Sequence, residues 1–336
     1  MTSLAELIRH GDFASRHLGP SPDEISRICA AIGVANIDEL IGQTLPQTIR
    51  LPKPPELDPA LDEHQALARL RTIAAKNAPR KSMLGLGYHG THTPAVILRN
   101  VLENPGWYTS YTPYQTEIAQ GRLEALLTFQ QMIVDLTGLD IANASLLDEA
   151  TAAAEAMTMA RRISKSTSNA FFVDADCLPQ TLDVLRTRAQ GFGFEIITAK
   201  TEDAARREVF GALLQYPGVD GEVKDLSLTI TELRASGAIV AVAADPMALV
   251  LLKSPGALGA DIALGSVQRF GLPMGFGGPH AAYFAARAAH IRAMPGRIIG
   301  ASKDSRGRRA YRMTLQTREQ HIRREKANSN ICTSQA

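Results

Sequence analysis

Between residues 140 and 286 the chain alternates in a way that few architectures tolerate. Short apolar runs at 141–144, 170–173, 194–198, 210–214, 238–244 and 262–264 are separated by stretches of helical composition, among them 151–162 and 180–189. Runs this short and uniformly apolar suit strands buried on both faces, and helices between successive strands make crossover connections. Together they predict an α/β fold with a doubly wound, mostly parallel sheet. A chain of 336 residues, 45% of them hydrophobic, is long enough to bury such a core. A long helix is expected over 123–136, further strands over 280–285 and near 294–300, and a charged helix over 316–326.

Residues 1–80 have a different character and read as a helical arm with a linker, ahead of a large domain over 81–336. Ser21-Pro22-Asp23-Glu24 is a capping box with proline at the first helical position, followed by Ile25, Ile28, Cys29 and Ile32 at helical spacing. The prolines at 52, 54 and 55 predict an extended linker, because each disfavours helix in the residue before it. A second amphipathic helix is expected over 62–76, with Leu67, Leu70 and Ile73 on one face.

Composition narrows the function classes. A net charge of +2 gives no argument for nucleic acid or an anionic membrane. The basic stretch Arg306, Arg308, Arg309 and Arg312 reads as solvated surface. Cys29, Cys177 and Cys332 lie far apart without metal spacing, which suits reduced thiols. Residues 1–10 lack the apolar core of a signal peptide, and the apolar stretch at 238–252 is broken by Asp245 and Pro246. The expectation is a cytoplasmic protein.

Three stretches carry chemistry. In 84–94 (LGLGYHGTHTP), three glycines, two histidines, a tyrosine and two threonines stand before a helix start, a pattern that can hold an anion on free backbone N–H groups. His89 and His92 lack a third metal ligand nearby, so no metal site is expected. In 107–124 (WYTSYTPYQTEIAQGRLE), aromatics and hydroxyls crowd a loop ahead of the long helix, where they either pack a corner or line a site. In 260–280 (ADIALGSVQRFGLPMGFGGPH), an apolar run enters a polar turn and then a loop with glycine at 271, 275, 277 and 278. Asp245 ends the apolar run just upstream.

The order strand, Asp245, crossover, strand, turn, glycine loop resembles the cofactor-holding part of pyridoxal-phosphate enzymes of fold type I, the aspartate-aminotransferase-like fold. The resemblance implies that Asp245 stands where an aspartate would meet the pyridine nitrogen, and that Gln268 stands where the Schiff-base lysine would be. An amide cannot form an aldimine. The turn at 145–151, which would start the phosphate-binding helix, carries Asp148 and Glu149, and carboxylates there oppose a phosphate. Asp245 and Gln268 therefore read as a vestigial cofactor site.

Longer motifs are specific to one family. GYHGTHTPAVILRNVLENPGW, YTPYQTEIAQGRLEALL, LTGLDIANASLLDEATAAAEAM, GSVQRFGLPMGFGGPHAAYFA, MPGRIIGASKD and TLQTREQHIRREKANSNICT closely resemble the glycine decarboxylase (P-protein) family of the glycine cleavage system. The likeness is to its N-terminal half, or to subunit 1 of the two-chain form. Thr116 and Ala119 depart from the usual proline and serine. The family would continue into a long helix and a small C-terminal domain, so the chain looks cut short at Ala336.

What the resemblance implies is glycine dehydrogenase (aminomethyl-transferring, decarboxylating) activity: pyridoxal-phosphate-dependent decarboxylation of glycine, with the aminomethyl group passed to the lipoyl arm of H-protein. Without the lysine, this chain would be the non-catalytic half. It would complete the active site of a lysine-bearing half, which would hold the pyridoxal 5'-phosphate. Tyr111, Tyr114 and Gln115, with Tyr88, His89 and Thr91 beside them, would form the wall that meets glycine or the lipoyl arm. Arg297 and Lys303 read as solvated charge or as contacts to an acidic H-protein surface, and Cys332 as an inert thiol or a redox switch. The alternative left open is a truncated non-catalytic remnant, or a binding or structural fragment without activity.

Overall fold

The computed structural model describes residues 12–83, 85–108, 113, 115–278, 280–315, 327–332 and 334. The chain divides into two compact units, Met1–Ser82 and Met83–Ala336. The helix expected over 316–326 lies outside the described residues.

The first unit is helical: α1 (Asp12–His17), α2 (Pro22–Ile32), α3 (Ile37–Thr44) and α4 (Glu63–Ala74). The capping box at Ser21 forms, with the Glu24 carboxylate accepting from Ser21 N at 2.8 Å and Ser21 Oγ accepting from Glu24 N at 3.4 Å. Gly33 closes α2 in the left-handed conformation. Asp62 and Gln65 make a second reciprocal cap on α4. Leu67, Leu70 and Ile73 on α4 remain exposed.

The second unit is built on a seven-stranded sheet. Its strands are β1 (Ile141–Ala142), β2 (Ala170–Asp174), β3 (Glu195–Ala199), β4 (Gly211–Tyr216), β5 (Ile239–Ala244), β6 (Ile262–Ser266) and β7 (Ala282–Ala286), in the order β1-β7-β6-β5-β4-β2-β3. The five strands β3, β2, β4, β5 and β6 run parallel, whereas β7 is antiparallel to both β6 and β1. This is the mostly parallel sheet that the alternation predicts, in the fold type I form that the resemblance implies. Successive residues of each strand serve opposite faces. Phe171, Val173, Leu213, Ala241 and Ala243 pack beneath α6 (Glu149–Ile163), and Phe172, Leu214, Val240 and Val242 pack beneath α8 (Ser227–Ala235). On β6 and β7, Ala263, Tyr283 and Ala285 meet Ile133 of α5 (Gln120–Thr137). Helices on both faces explain why the strands read as continuous apolar runs.

Helix α6 lies close on the sheet because its inner side is alanine: Ala152, Ala153, Ala156 and Ala160 are fully buried. On the opposite face Gly265 permits a similar approach. A Cβ there would stand 2.2 Å from the Ala244 carbonyl oxygen and 2.8 Å from the Tyr283 ring, whose hydroxyl donates to that same carbonyl at 2.8 Å.

One local expectation is revised. The basic stretch is more than solvated surface: Arg309–Thr314 forms β9, antiparallel to β8 (Ile298–Lys303) in a separate two-stranded sheet. Met313 turns inward to a small cluster with Leu123 and Ile299, while Arg309 and Arg312 remain exposed.

Candidate functional site

The carboxyl ends of β4, β5 and β6 open onto a cavity of about 250 Å³. Ligands of open α/β sheets bind in this position, because the strand ends present polar groups there while crossovers leave on either side. Gln215 comes from the end of β4, Asp245 follows β5, and Ser266, Gln268 and Arg269 follow β6. Glu149 enters from the first residue of α6, and Gly85, Leu86, Gly87 and His89 form the rim.

The rim is fixed by contacts remote in sequence. Gln180, in the first turn of α7 (Pro179–Phe192), donates to the Leu86 carbonyl at 2.7 Å. Gly87 takes φ +80, and a Cβ on it would stand 2.6 Å from Leu178. Thr91 Oγ1 donates to the Leu272 carbonyl at 2.6 Å and Thr93 Oγ1 to the Gly271 carbonyl at 2.5 Å, so the rim and the glycine loop are stapled together.

Inside the cavity the positions expected to hold a cofactor are otherwise engaged. Asp245 Oδ2 accepts from Arg269 Nη2 at 2.9 Å and Nε at 3.1 Å, and Oδ1 accepts from Met247 N at 2.9 Å. Gln268 is buried, 2% exposed, and no lysine is among the lining residues. Asp148 caps α6 by accepting from Thr151 N at 2.7 Å. Its neighbour Glu149 brings a second carboxylate to the cavity, with Oε2 accepting from Ser266 N at 3.2 Å. The residues present therefore do not fit a covalently held pyridoxal phosphate. No lysine amine lines the cavity to form an aldimine, Asp245 already has a cation of its own, and the start of α6 carries carboxylates.

Two electrostatic shifts follow from burial. Burial pushes the Glu149 carboxyl up to about 7, helped by the charges of Asp245 and Asp148 and opposed by the Ser266 N–H and the Gln215 amide. His89 is held below its ordinary value, first by burial and then by the Arg269 charge, with Asp245 opposing. Three buried polar atoms on residues that line the cavity lack hydrogen-bond partners: Glu149 Oε1, Gln215 Oε1 and Gln268 Nε2. A buried unpaired polar group costs about 1–3 kcal/mol, so three in one place are not neutral to the fold.

The expected wall residues are placed unevenly. His89 lines the cavity, and Tyr88 lines an adjoining one of about 170 Å³, its ring 5.4 Å from that of His280. Thr91 serves as the staple. Gln115 is exposed and is not among the residues lining either cavity. Tyr111 and Tyr114 lie outside the described residues. Gln215 and Arg269 were not anticipated; Gln215 is hidden at the end of an apolar run, and no local pattern links Arg269 to Asp245. Arg297 corrects an expectation. It is only 5% exposed, because it precedes β8 where the chain packs against Ala144, whose N–H donates to the Arg297 carbonyl. It is not solvated charge. Lys303 is exposed, and Cys332 is partly buried. Among the described residues no cluster of His, Cys, Asp and Glu could hold a metal, and no helix is long and apolar enough to cross a membrane.

Comparison with known proteins gives one consistent answer. The family model described as glycine cleavage system P-protein matches residues 15–336. Glycine dehydrogenase (decarboxylating) of Dechloromonas aromatica is 65% identical over 332 residues, which is 99% of this chain and 34% of that protein. The Stutzerimonas stutzeri protein of the same name is 64% identical over 335 residues, 100% of this chain and 35% of its own length. The chain thus spans about a third of these relatives. A crystal structure of glycine decarboxylase (P-protein) of the glycine cleavage system, in inhibitor-bound form, superposes with a TM-score of 0.85 at 38% identity, covering 95% of this chain and 73% of that one.

Proposed function

This chain belongs to the glycine cleavage system P-protein family, and we propose that it acts there as the half of glycine dehydrogenase (decarboxylating) that holds no cofactor of its own. It completes the active site of a lysine-bearing half. The observation that carries this reading is the cavity at the ends of β4, β5 and β6. Gln268 lies buried at the expected lysine position, and Asp245 is already paired with Arg269.

Pyridoxal phosphate, held by the partner half, would supply the electron sink for decarboxylation. This chain's task would be to shape and dry the space around it. His89, its pKa lowered, is neutral near pH 7 and can donate or accept a hydrogen bond without placing a charge beside the reacting carbon. Tyr88 offers an aromatic face at the same rim, and Tyr111, Tyr114 and Gln115 are proposed to extend that wall toward glycine and the lipoyl arm of H-protein. Thr91 acts through position, holding the rim to the glycine loop. The exposed apolar side of α4 fits an arm that is covered only in an assembly.

The test is glycine–bicarbonate exchange with pyridoxal phosphate and lipoylated H-protein, run on the chain alone and with a lysine-bearing half. Silence alone and activity in the mixture is the expected pair of results. Activity alone would overturn the reading of Gln268. Silence in both would replace this proposal with an inactive remnant.

A further inference from the structure

A second cavity, of about 740 Å³, shares no lining residue with the two at the strand ends. It is lined by the outer faces of α6 and α7, which pack side by side through a buried cluster containing Ala156, Ala160, Leu185 and Ala189. Helical spacing gathers its polar groups. Glu155, Thr158 and Arg162 stand three and four positions apart on α6 with Arg161 beside them, and Arg188 and Phe192 stand four apart on α7. Arg161 Nη1 donates to the Ser166 carbonyl at 2.8 Å and the Ser168 carbonyl at 3.1 Å, ahead of β2. The arginines thus sit near the amino ends of the strands, at the opposite edge of the sheet from Asp245 and Gln268.

The lining residues include three guanidinium groups and one carboxylate. Glu155, only 3% exposed, accepts from Arg188 Nη2 at 2.8 Å, and Arg162 Nη2 donates to the Ala293 carbonyl at 2.9 Å. These bonds engage one nitrogen of each guanidinium, and two positive charges are left without a carboxylate in the lining. Arg161 and Arg162 also complement the dipole at the carboxyl end of α6. That accounts neither for Arg188 nor for the aromatic surface beside it. Phe192 is 57% exposed, its ring stacked on Phe194 with centroids 5.4 Å apart at 17°. Phe194 meets Phe210 edge-on at 5.2 Å, and the Arg161 guanidinium lies over the Phe210 ring at 5.4 Å. Cations and rings therefore form one braced array. A large ring left half in water and supported from behind is a ledge on which a planar group can stack.

Charge and size decide the ligand class. Inorganic phosphate would use the arginines and leave the ledge and most of the volume empty. An uncharged aromatic would use the ledge and leave the arginines unmatched. A phosphate monoester carries about −1.5 to −2 at neutral pH, close to the two uncompensated charges, and its oxygens suit guanidinium forks. About 740 Å³ is enough for ring, sugar and phosphate together.

We propose that this groove is a binding site for a nucleoside monophosphate, its phosphate set among Arg161, Arg162 and Arg188 and its base laid on Phe192. The inference uses no residue of the cavity at the strand ends and does not depend on the pairing proposed above.

The experiment is calorimetric titration of the whole chain with adenosine 5'-monophosphate, with adenosine, ribose 5-phosphate and pyridoxal phosphate as comparison ligands. Saturable binding of the nucleotide is expected, with each comparison ligand roughly tenfold weaker or more. Phe192→Ala, at an exposed position, should weaken the nucleotide and leave ribose 5-phosphate unchanged, a split that a merely structural role would not produce. Arg162→Gln should weaken both. No saturable binding by the folded wild-type chain would overturn the proposal. So would any comparison ligand that binds as tightly as the nucleotide, a result that needs no variant to fold. Unchanged nucleotide affinity in either variant, with thermal unfolding intact, would equally overturn it. The glycine–bicarbonate exchange assay has no bearing on these outcomes, so either reading can fail without the other.

Discussion

The middle of the sheet and the carboxyl ends of the same strands are a few residues apart and obey different rules. In the middle, Phe171, Val173, Leu213 and Val242 are fully buried, and the strands' ladders pair in register. At the ends, Gln215 and Gln268 are nearly as buried, yet each carries an atom without a partner, as does Glu149 between them. The interior is optimised for packing; the rim of the sheet keeps groups that packing alone would have removed. Burial marks the fold, and a gathering of buried atoms without hydrogen bonds marks the cavity.

The contrast can be broken from the packing side first. Phe171→Ala leaves a cavity between α6 and the sheet and should destabilise by about 4 kcal/mol in urea unfolding; a loss below about 1 kcal/mol would mean that the interior collapses easily. From the site side, Glu149 binds its proton more tightly when folded than when unfolded, rising from 4.5 to about 7. The penalty is absent below the unfolded value, grows as pH rises from about 4.5 to about 7, and then stays constant. It amounts to roughly 3 kcal/mol at about 1.4 kcal/mol per pH unit. Glu149→Gln should remove that slope, so unfolding at pH 5 and pH 8 would then differ by less than in the wild type. An unchanged slope would assign it to other groups.

Gly265→Ala tests the close approach at the strand end. Its Cβ meets the Ala244 carbonyl, and a loss of about 2 kcal/mol is expected in thermal unfolding. The smallest effect expected is none. Gln268→Lys should not by itself bring an aldimine absorbance band with pyridoxal phosphate, because Arg269 still occupies Asp245 and Glu149 still stands at the helix start. A band in the single variant would show that only the lysine separates this cavity from a working cofactor site.

How much of this was legible beforehand follows the same divide. The strands of the large sheet could be read because burial on both faces leaves an uninterrupted apolar run, as in β4 and β5. The β9 strand could not: Arg309 shares a face with Tyr311 and Met313 while Ala310 shares one with Arg312, so the apolar alternation is too short to read, and only pairing with β8 reveals the strand. Asp245 and Gln268 were visible through their order along the chain. The ion pair that occupies Asp245 was not, because Arg269 reaches it only once β5 and β6 lie side by side. Gln215 follows the apolar run 210–214 with no motif of its own, and only the fold makes the end of β4 a cavity wall. Arg297 was read from its charge, and its burial depends on a packing contact with Ala144 that has no local signature.

The two threonine hydroxyls at the cavity rim also carry a kinetic meaning. Thr91 and Thr93 bond carbonyls that lie 181 and 178 residues further along the chain. Closing so large a loop is entropically unfavourable until most of the intervening chain is already in place. The strands between them must therefore dock before the rim can close. During folding, the sheet is in place well before the cavity rim closes.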